Sequence, residues 1–257
     1  MRKISIIIPC YNEQKRLPET ISKLKKWLLA QKKFEVELIL SNDGSSDDTI
    51  KIMHNCRFDF ENRNLCIVKV LDFKHRGYIE TLFDSYKKAS NDIICNMEAD
   101  CSILPENFEI FSNFICSFDM IQGSRILKVN NTKVYNKSIL RTLISNLFSL
   151  IFRYLFKCKI YDPQCGFKMI KKEKLYKCLD EIKLKHDGLK VTELTIRFLQ
   201  KNYLIKEIPV VNFHDNDSRL VPKFSMINPF PFIYVIYNNF IGLYDLYKIF
   251  KKENFFK

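Results

Sequence analysis

Short apolar runs rich in isoleucine and valine recur along the chain at Ile4–Ile8, Val36–Leu40, Ile67–Leu71, Ile93–Met97 and Met120–Gln122. Stretches of helical periodicity separate the first four of them. This alternation predicts βαβα units and a parallel sheet. Helix starts are marked by Ser46-Asp47-Asp48-Thr49, which reads as a capped first turn, and by Pro105-Glu106, a proline and an acid in a first turn. The strand ends therefore face one common edge. After the polar stretch Lys128–Lys137 the pattern changes. Residues 138–159 predict a long helix, with Ile139, Leu140, Leu143, Ile144, Leu147, Phe148, Ile151 and Leu155 at helical spacing and Arg141 and Arg153 interrupting them. Such a helix fits a protein core or a bilayer interface in which the arginines reach headgroups. Phe224–Tyr244 carries no charged side chain, yet Asn228, Pro229, Pro231, Asn238 and Asn239 interrupt it and argue against a spanning helix. Residues 1–224 are expected to form one α/β domain. Residues 225–257 are expected to form an amphipathic segment that associates with a membrane or packs on the soluble core.

Composition narrows the partners. A chain of 257 residues suffices for one α/β domain, and 42 basic against 29 acidic residues leave a net charge of +13. That excess favours phosphates or an acidic membrane face. The basic residues are dispersed without the aromatic interleaving of a nucleic-acid module, so no nucleic-acid partner is expected. The nine cysteines form no CxxC pair, which fits reduced thiols in a cytosol. Met1-Arg2-Lys3 runs into an apolar stretch that Pro9 closes too early for a secretory signal. Of only six glycines, Gly44, Gly77, Gly123 and Gly166 follow strands or sit in short polar turns, a placement that suggests backbone approaching a ligand.

Chemistry concentrates where the predicted strands end. Pro9-Cys10-Tyr11-Asn12-Glu13 closes the first strand, Ser41-Asn42-Asp43-Gly44-Ser45-Ser46 the second, and Asn96-Met97-Glu98-Ala99-Asp100-Cys101-Ser102 the fourth. An aromatic ring can stack on a base, carboxylates can accept from a ribose, and two acids one residue apart can present oxygen to a hard divalent cation. Gly123-Ser124-Arg125 and Asp162-Pro163-Gln164-Cys165-Gly166-Phe167-Lys168 follow.

Together these segments resemble glycosyltransferase family 2 and its P-x-Y-N-E, D-D-G-S-S-D and D-x-D patterns. The G-S-R and Q-C-G-F-K matches are similar to the branch that includes dolichyl-phosphate glucosyltransferases and dolichyl-phosphate mannose synthases. The resemblance covers roughly residues 3–225. It implies a GT-A fold, with a Rossmann-like, mostly parallel sheet flanked by helices. It implies a nucleotide-sugar donor held by Pro9, Tyr11, Glu13, Asp43, Gly44, Arg76 and Asp100, and Mg2+ or Mn2+ at Asp100 and Glu98. It also implies a polyprenyl or dolichyl phosphate acceptor met by Arg125, Arg141, Lys168 and Arg219, at the cytosolic face of a membrane. Asp100, Arg125, Arg141 and Glu193 are the expected catalytic set. Several roles stay open at this level: Arg76 meets a phosphate or covers the surface, Lys168 contacts phosphate or makes a structural pair, and Glu193 orients a basic side chain or is an exposed helix acid. His54, His75, His186 and His214 have no ligand spacing and are expected on the surface or in packing. Departures from the family pattern are Glu98 for the first aspartate, His75 in a turn that usually reads G-K-G, and Val191 where many relatives carry an acid. A phosphate acceptor attacks without a strong general base, giving inversion in one displacement. Transfer to a glycan or glycolipid hydroxyl, and a silent nucleotide-sugar-binding scaffold, are the alternatives. Oligomeric state is not legible.

Overall fold

A computed structural model describes residues 1–127, 139–184, 187–213, 230–253 and 255. The first unit runs β1 (Arg2–Cys10), α1 (Leu17–Ala30), β2 (Phe34–Asp43), α2 (Thr49–Asn62), β3 (Ile67–Phe73), α3 (Tyr78–Tyr86), β4 (Ile93–Asn96), α4 (Asn107–Ser112) and β5 (Met120–Ser124). It continues with α5 (Ile139–Phe156), β6 (Lys168–Lys171), α6 (Lys172–Leu179), a 3-10 turn (Asp187–Leu189), α7 (Lys190–Gln200), β7 (Ile205–Pro209) and α8 (Phe230–Lys252). All five apolar runs seen in the sequence are strands. The sheet has the order β3-β2-β1-β4-β6-β5-β7.

Direction decides where chemistry can gather. β1 runs parallel to β2 and β4, β2 to β3, and β5 to β7, while β6 is antiparallel to both β4 and β5. Six strands therefore point one way and β6 alone the other. The C-terminal ends of β1, β2, β4 and β5 and the N-terminal end of β6 share one edge, the position where open α/β sheets bind ligands.

Helices cover both faces, which explains why β1 and β2 read as nearly unbroken apolar runs. One face packs Ile4, Ile6, Ile8, Leu38 and Leu40 against α1, α2 and α4 through Leu24, Trp27, Met53, Phe60, Phe108 and Phe111. The other packs Ile7, Ile39 and Ile94 against α3, α6 and α7 through Leu82, Tyr86, Leu175, Leu194 and Phe198. Two buried polar residues in β1 and β2 satisfy each other, since Ser5 donates to Glu37, which also accepts from the Ser90 amide and pairs with Lys69. At the start of α2 the cap residue Asp48 makes no side-chain cap bond, and the preceding Asp47 Oδ1 instead accepts from the Thr49 amide at 3.0 Å.

A third cluster joins α5, α7 and α8 through Phe148, Phe152, Phe156, Ile196, Leu243, Leu246 and Phe250. The C-terminal helix thus packs on the protein along one face. Its other face stays exposed at Ile233, Tyr234, Tyr237 and Tyr244, as does α5 at Leu140, Leu143, Leu147, Leu150 and Tyr154. Among the described residues no helix is long and apolar enough to cross a membrane. All nine cysteines are unpaired, and Cys10, Cys56, Cys95, Cys101, Cys165 and Cys178 are buried as small hydrophobes.

Candidate functional site

Three connections hold the edge together. The loop after β1 is pinned to the loop after β2: Ser45 Oγ accepts from the Asn12 amide at 2.9 Å, Asn12 Oδ1 accepts from the Ser46 amide at 2.8 Å, and Thr49 Oγ1 accepts from the Glu13 amide at 2.7 Å. Asn12 takes φ +53°, a left-handed conformation that asparagine tolerates well. The loop after β2 is pinned in turn to the start of α3. Asp43 is 1% exposed, and its carboxylate accepts from the Arg76 amide at 2.9 Å, the Gly77 amide at 3.0 Å and Thr81 Oγ1 at 2.7 Å. Gly44, at φ +67°, has His75 N only 2.6 Å from where a Cβ would stand. Its backbone lies against protein, so the expectation that this glycine exists for a ligand gives way to close packing.

Tyr11 and His75 stack with ring centroids 4.2 Å apart and planes 22° apart. His75 Nδ1 lies 3.0 Å from Asp43 Oδ2. His75 is an exposed residue packed on Tyr11, in keeping with its reading as a surface or packing histidine, and that packing places it at the site; its partner ring is far away in sequence. Glu13 faces Arg16, which donates to both carboxylate oxygens at 2.7 and 2.6 Å. For Arg76, the guanidinium pairs with Asp84 and only the backbone amide reaches Asp43. Pro9, one residue before the end of β1, lies beside Ser41 of β2.

The acid pair follows β4. Ser102 ties the two carboxylates together, its hydroxyl donating to Glu98 Oε2 at 2.9 Å and its amide to Asp100 Oδ1 at 3.0 Å. Burial, then the charge of Asp100, pushes the Glu98 carboxyl above its usual range, with Arg125 and Ser102 pulling the other way. Two mutually repelling, half-buried carboxylates form a donor set whose repulsion a divalent cation relieves. Glu98 also leans on Gly166, where a Cβ would stand 2.6 Å from Glu98 Oε1. The second half of the edge is thereby joined to the first, and the Asn96 side-chain amide donates to the Gly166 carbonyl beside it.

Beyond β5, Arg125 grips Asp162 with Nε to Oδ2 at 2.8 Å and Nη2 to Oδ1 at 2.9 Å, while its amide donates to Oδ2 at 2.9 Å. Burial alone would raise Asp162, but the Arg125 charge and hydrogen bonds outweigh it and hold the carboxyl below its ordinary value. Lys168 is fully buried and donates to Gln122 Oε1 at 2.7 Å, and burial drives its ammonium down to about 8. Of its two open roles, the structural pair is the one observed.

Glu193 is not at this edge. It is fully buried, its oxygens accept from the Lys183 and Leu184 amides at 2.9 and 2.8 Å, and it pairs with Arg197 at 2.9 Å. The catalytic expectation is corrected: with this coordination the carboxylate has no face left for substrate. Arg141 lies in the first turn of α5 with its side chain outside the described residues, and Arg219, His186 and His214 lie outside them altogether. Sequence reading missed Ser102, whose signal is a hydroxyl two and four residues after the acids. It also missed the partnership of Asp162 with Arg125, which no spacing reveals.

The glycosyl transferase family 2 profile matches residues 5–179. The chain is 24% identical to a dolichyl-phosphate beta-glucosyltransferase of Dictyostelium discoideum over 86% of its own length and 69% of that protein. It is 30% identical to a dolichol-phosphate mannosyltransferase of Pyrococcus furiosus over 76% of its length and 56% of that protein. Among solved structures it resembles the glucosyl-3-phosphoglycerate synthase of Mycobacterium tuberculosis in complex with Mn2+, UDP-glucose and phosphoglyceric acid. That likeness has a TM-score of 0.62 and 15% identity, over 96% of this chain and 80% of that one, and it bears on the fold alone.

Proposed function

Because the chain belongs to glycosyltransferase family 2, we propose that it moves a hexose from a UDP- or GDP-sugar to a polyprenyl phosphate, with inversion at the anomeric carbon. The observation that carries this reading is the convergence of the Tyr11–His75 stack, the Glu98–Asp100 pair and the Arg125–Asp162 pair on one sheet edge. The names of the relatives support the acceptor class.

Each part of the edge has a task. The exposed Tyr11 ring offers a stacking surface for the base, and Asp43 holds the turn that carries His75 beside it. Glu98 and Asp100 hold Mg2+ or Mn2+. When bound there, the cation would stabilise the negative charge of the leaving nucleotide diphosphate. Asp162 takes the Nε–H and one Nη2–H of Arg125, so the Nη1 hydrogens and the second Nη2–H are the donors left to meet an acceptor phosphate. The acceptor oxygen forms the new bond to the anomeric carbon as the bond to the diphosphate oxygen breaks, the electron pair leaving with the nucleotide. A phosphate oxygen is already anionic near neutral pH, so no side chain has to take a proton from it. Given polyprenyl phosphate and polyprenol of equal length, the enzyme is expected to glycosylate only the phosphate. Preferential transfer to the alcohol would replace this reading with a hydroxyl-acceptor enzyme.

The exposed rows of α5 and α8 support work at a membrane surface. The two helices pack together through Phe148 and Phe240, whose ring centroids are 5.9 Å apart. Asn239 of α8 accepts from the Gln164 side chain at 3.3 Å, which joins this apolar face to the turn bearing Asp162 and Gly166. Vesicles of phosphatidylcholine and phosphatidylserine are expected to float the wild-type chain. The double variant Leu143→Glu/Tyr237→Glu is expected to stay in the soluble fraction with an unchanged thermal midpoint. Full flotation of that variant would rule this face out.

A further inference from the structure

The turn that carries Asp162 is held by a row of polar side chains crossing the sheet. Asn96 of β4 stands opposite Lys168 of β6, Lys168 opposite Gln122 of β5, and Gln122 opposite Glu207 of β7. Residues paired in this way leave the sheet on the same side. Lys168 and Gln122 are fully buried, and Lys168 Nζ donates to Gln122 Oε1 at 2.7 Å. An ammonium has donors only, so it draws the side-chain carbonyl of Gln122 towards itself and leaves Nε2 facing the other way. That Nε2 donates to Glu207 Oε1 at 3.1 Å and to the Asp162 carbonyl at 3.3 Å.

Glu207 completes the row by gripping the turn itself. Its Oε2 accepts from the Tyr161 amide at 2.6 Å and its Oε1 from the Asp162 amide at 2.8 Å. With Gln122, three donors converge on two oxygens. An acceptor-only carboxylate satisfies all of them, whereas a side-chain amide would turn its NH2 towards one. Further along the turn, the Asn96 side chain donates to the Gly166 carbonyl, so the backbone from 161 to 166 is held at both ends. Between these anchors the Asp162 carboxylate accepts three bonds from Arg125. Glu207 thus acts on the Asp162 backbone, and the Asp162 carboxylate acts on Arg125. Through this chain β7, the last strand of the sheet, bears on the site from outside it.

We propose that Glu207 is a positioning residue for the acceptor: by clamping the Tyr161 and Asp162 amides it sets the direction in which Arg125 presents its remaining N–H groups to the acceptor phosphate. This rests on the reading above that Arg125 meets that phosphate, and it deepens that reading by naming what aims the guanidinium. A small misplacement of a group that orients substrate is enough to cost much of its effect.

The test is Glu207→Gln in the full chain, which keeps the size of the side chain and removes its charge and one acceptor. With the donor that the wild type uses and a short polyprenyl phosphate, steady-state transfer below the thermal midpoint gives separate KM values for donor and acceptor. Calorimetry with Mn2+ gives the affinity for the nucleotide sugar. The acceptor KM is expected to rise about ten-fold, the size of one hydrogen bond to a charged group, with nucleotide-sugar affinity within about two-fold of wild type. In an Arg125→Gln background no guanidinium is left to aim, so Glu207→Gln should then change the acceptor KM by less than about two-fold. Glu207→Asp, with the carboxylate on a shorter arm, should show the same split in smaller measure, and it carries the test if Glu207→Gln does not fold. An unchanged acceptor KM overturns the inference. So does an equal loss for donor and acceptor, or a loss that multiplies in full with that of Arg125→Gln, each of which assigns Glu207 a general structural role. Arg125→Gln with a normal acceptor KM overturns the role given to Arg125 and this inference with it. A wild-type chain that transfers nothing to the lipid phosphate overturns the proposed function and this inference together.

Discussion

Replacing Asp100 by alanine is expected to cut transfer by about 10²–10³-fold while leaving the fold intact. Such a loss is typical when a preorganised charge acting on a leaving group is removed. Asp100 is half-buried at the mouth of the edge and accepts one bond, from the Ser102 amide. Little structure hangs on its carboxylate. Glu98, also half-buried, differs because it is held by the Ser102 hydroxyl and packed on Gly166. Chelation of divalent cations should reproduce the wild-type loss and add little to that of Asp100→Ala, since both remove the same interaction. Circular dichroism and the thermal midpoint of the variant should match wild type. An Asp100→Ala enzyme with near-normal turnover would take the acid pair out of the chemistry.

Glu193→Ala is expected to destabilise the fold by about 3–5 kcal/mol, the usual range for breaking a buried ion pair from one side. Arg197 is 2% exposed and is held between Glu193 at 2.9 Å and Glu253, with its guanidinium 4.3 Å from the Phe250 ring centroid. Removing Glu193 leaves part of this charge without compensation and frees the Lys183 and Leu184 amides. The thermal midpoint reports the loss, and below that midpoint turnover should stay close to wild type. Lost turnover at an unchanged midpoint would return Glu193 to the catalytic set. The same network makes docking of α8 sensitive to acid. Burial would raise Glu253, yet hydrogen bonds from Arg197, Lys183 and Gln200 outweigh it and hold the carboxyl at about 2. Its folded value is thus below the ordinary glutamate value of 4.5. Its stabilising contribution is complete above that ordinary value and is lost as pH falls toward 2.

How much of this was legible depended on whether the partners are near in sequence or only in space. β1 and β2 were plain because helices cover both sheet faces and demand continuous apolar runs. β6 was not, because its four residues carry Lys168 and Lys171 and resemble a surface turn. β7, with Lys206, Glu207 and Pro209 in five residues, reads the same way. The reversal of β6 is nevertheless what brings the turn with Asp162 and Gly166 to the edge where Glu98 stands. At the site, the acids and Arg125 were found by their place after strands, a signal internal to each segment. The roles of His75, Lys168 and Glu193 depend on Tyr11, Gln122 and Arg197 together with the burial that accompanies them. Burial of a charged residue cannot be read from the residue itself. Glu193 shows this most clearly, because a helix acid four residues before an arginine is as consistent with a solvated ion pair as with a buried one.

The most direct test of the central claim is transfer of radiolabelled hexose from UDP-glucose, UDP-galactose, UDP-N-acetylglucosamine and GDP-mannose to a short polyprenyl phosphate, with Mg2+ or Mn2+, by the wild-type chain. An acid-labile labelled lipid formed from one of these donors, and abolished by chelation, is the predicted result. Hydrolysis of the donors without labelled lipid, or nucleotide-sugar binding without any turnover, would contradict it.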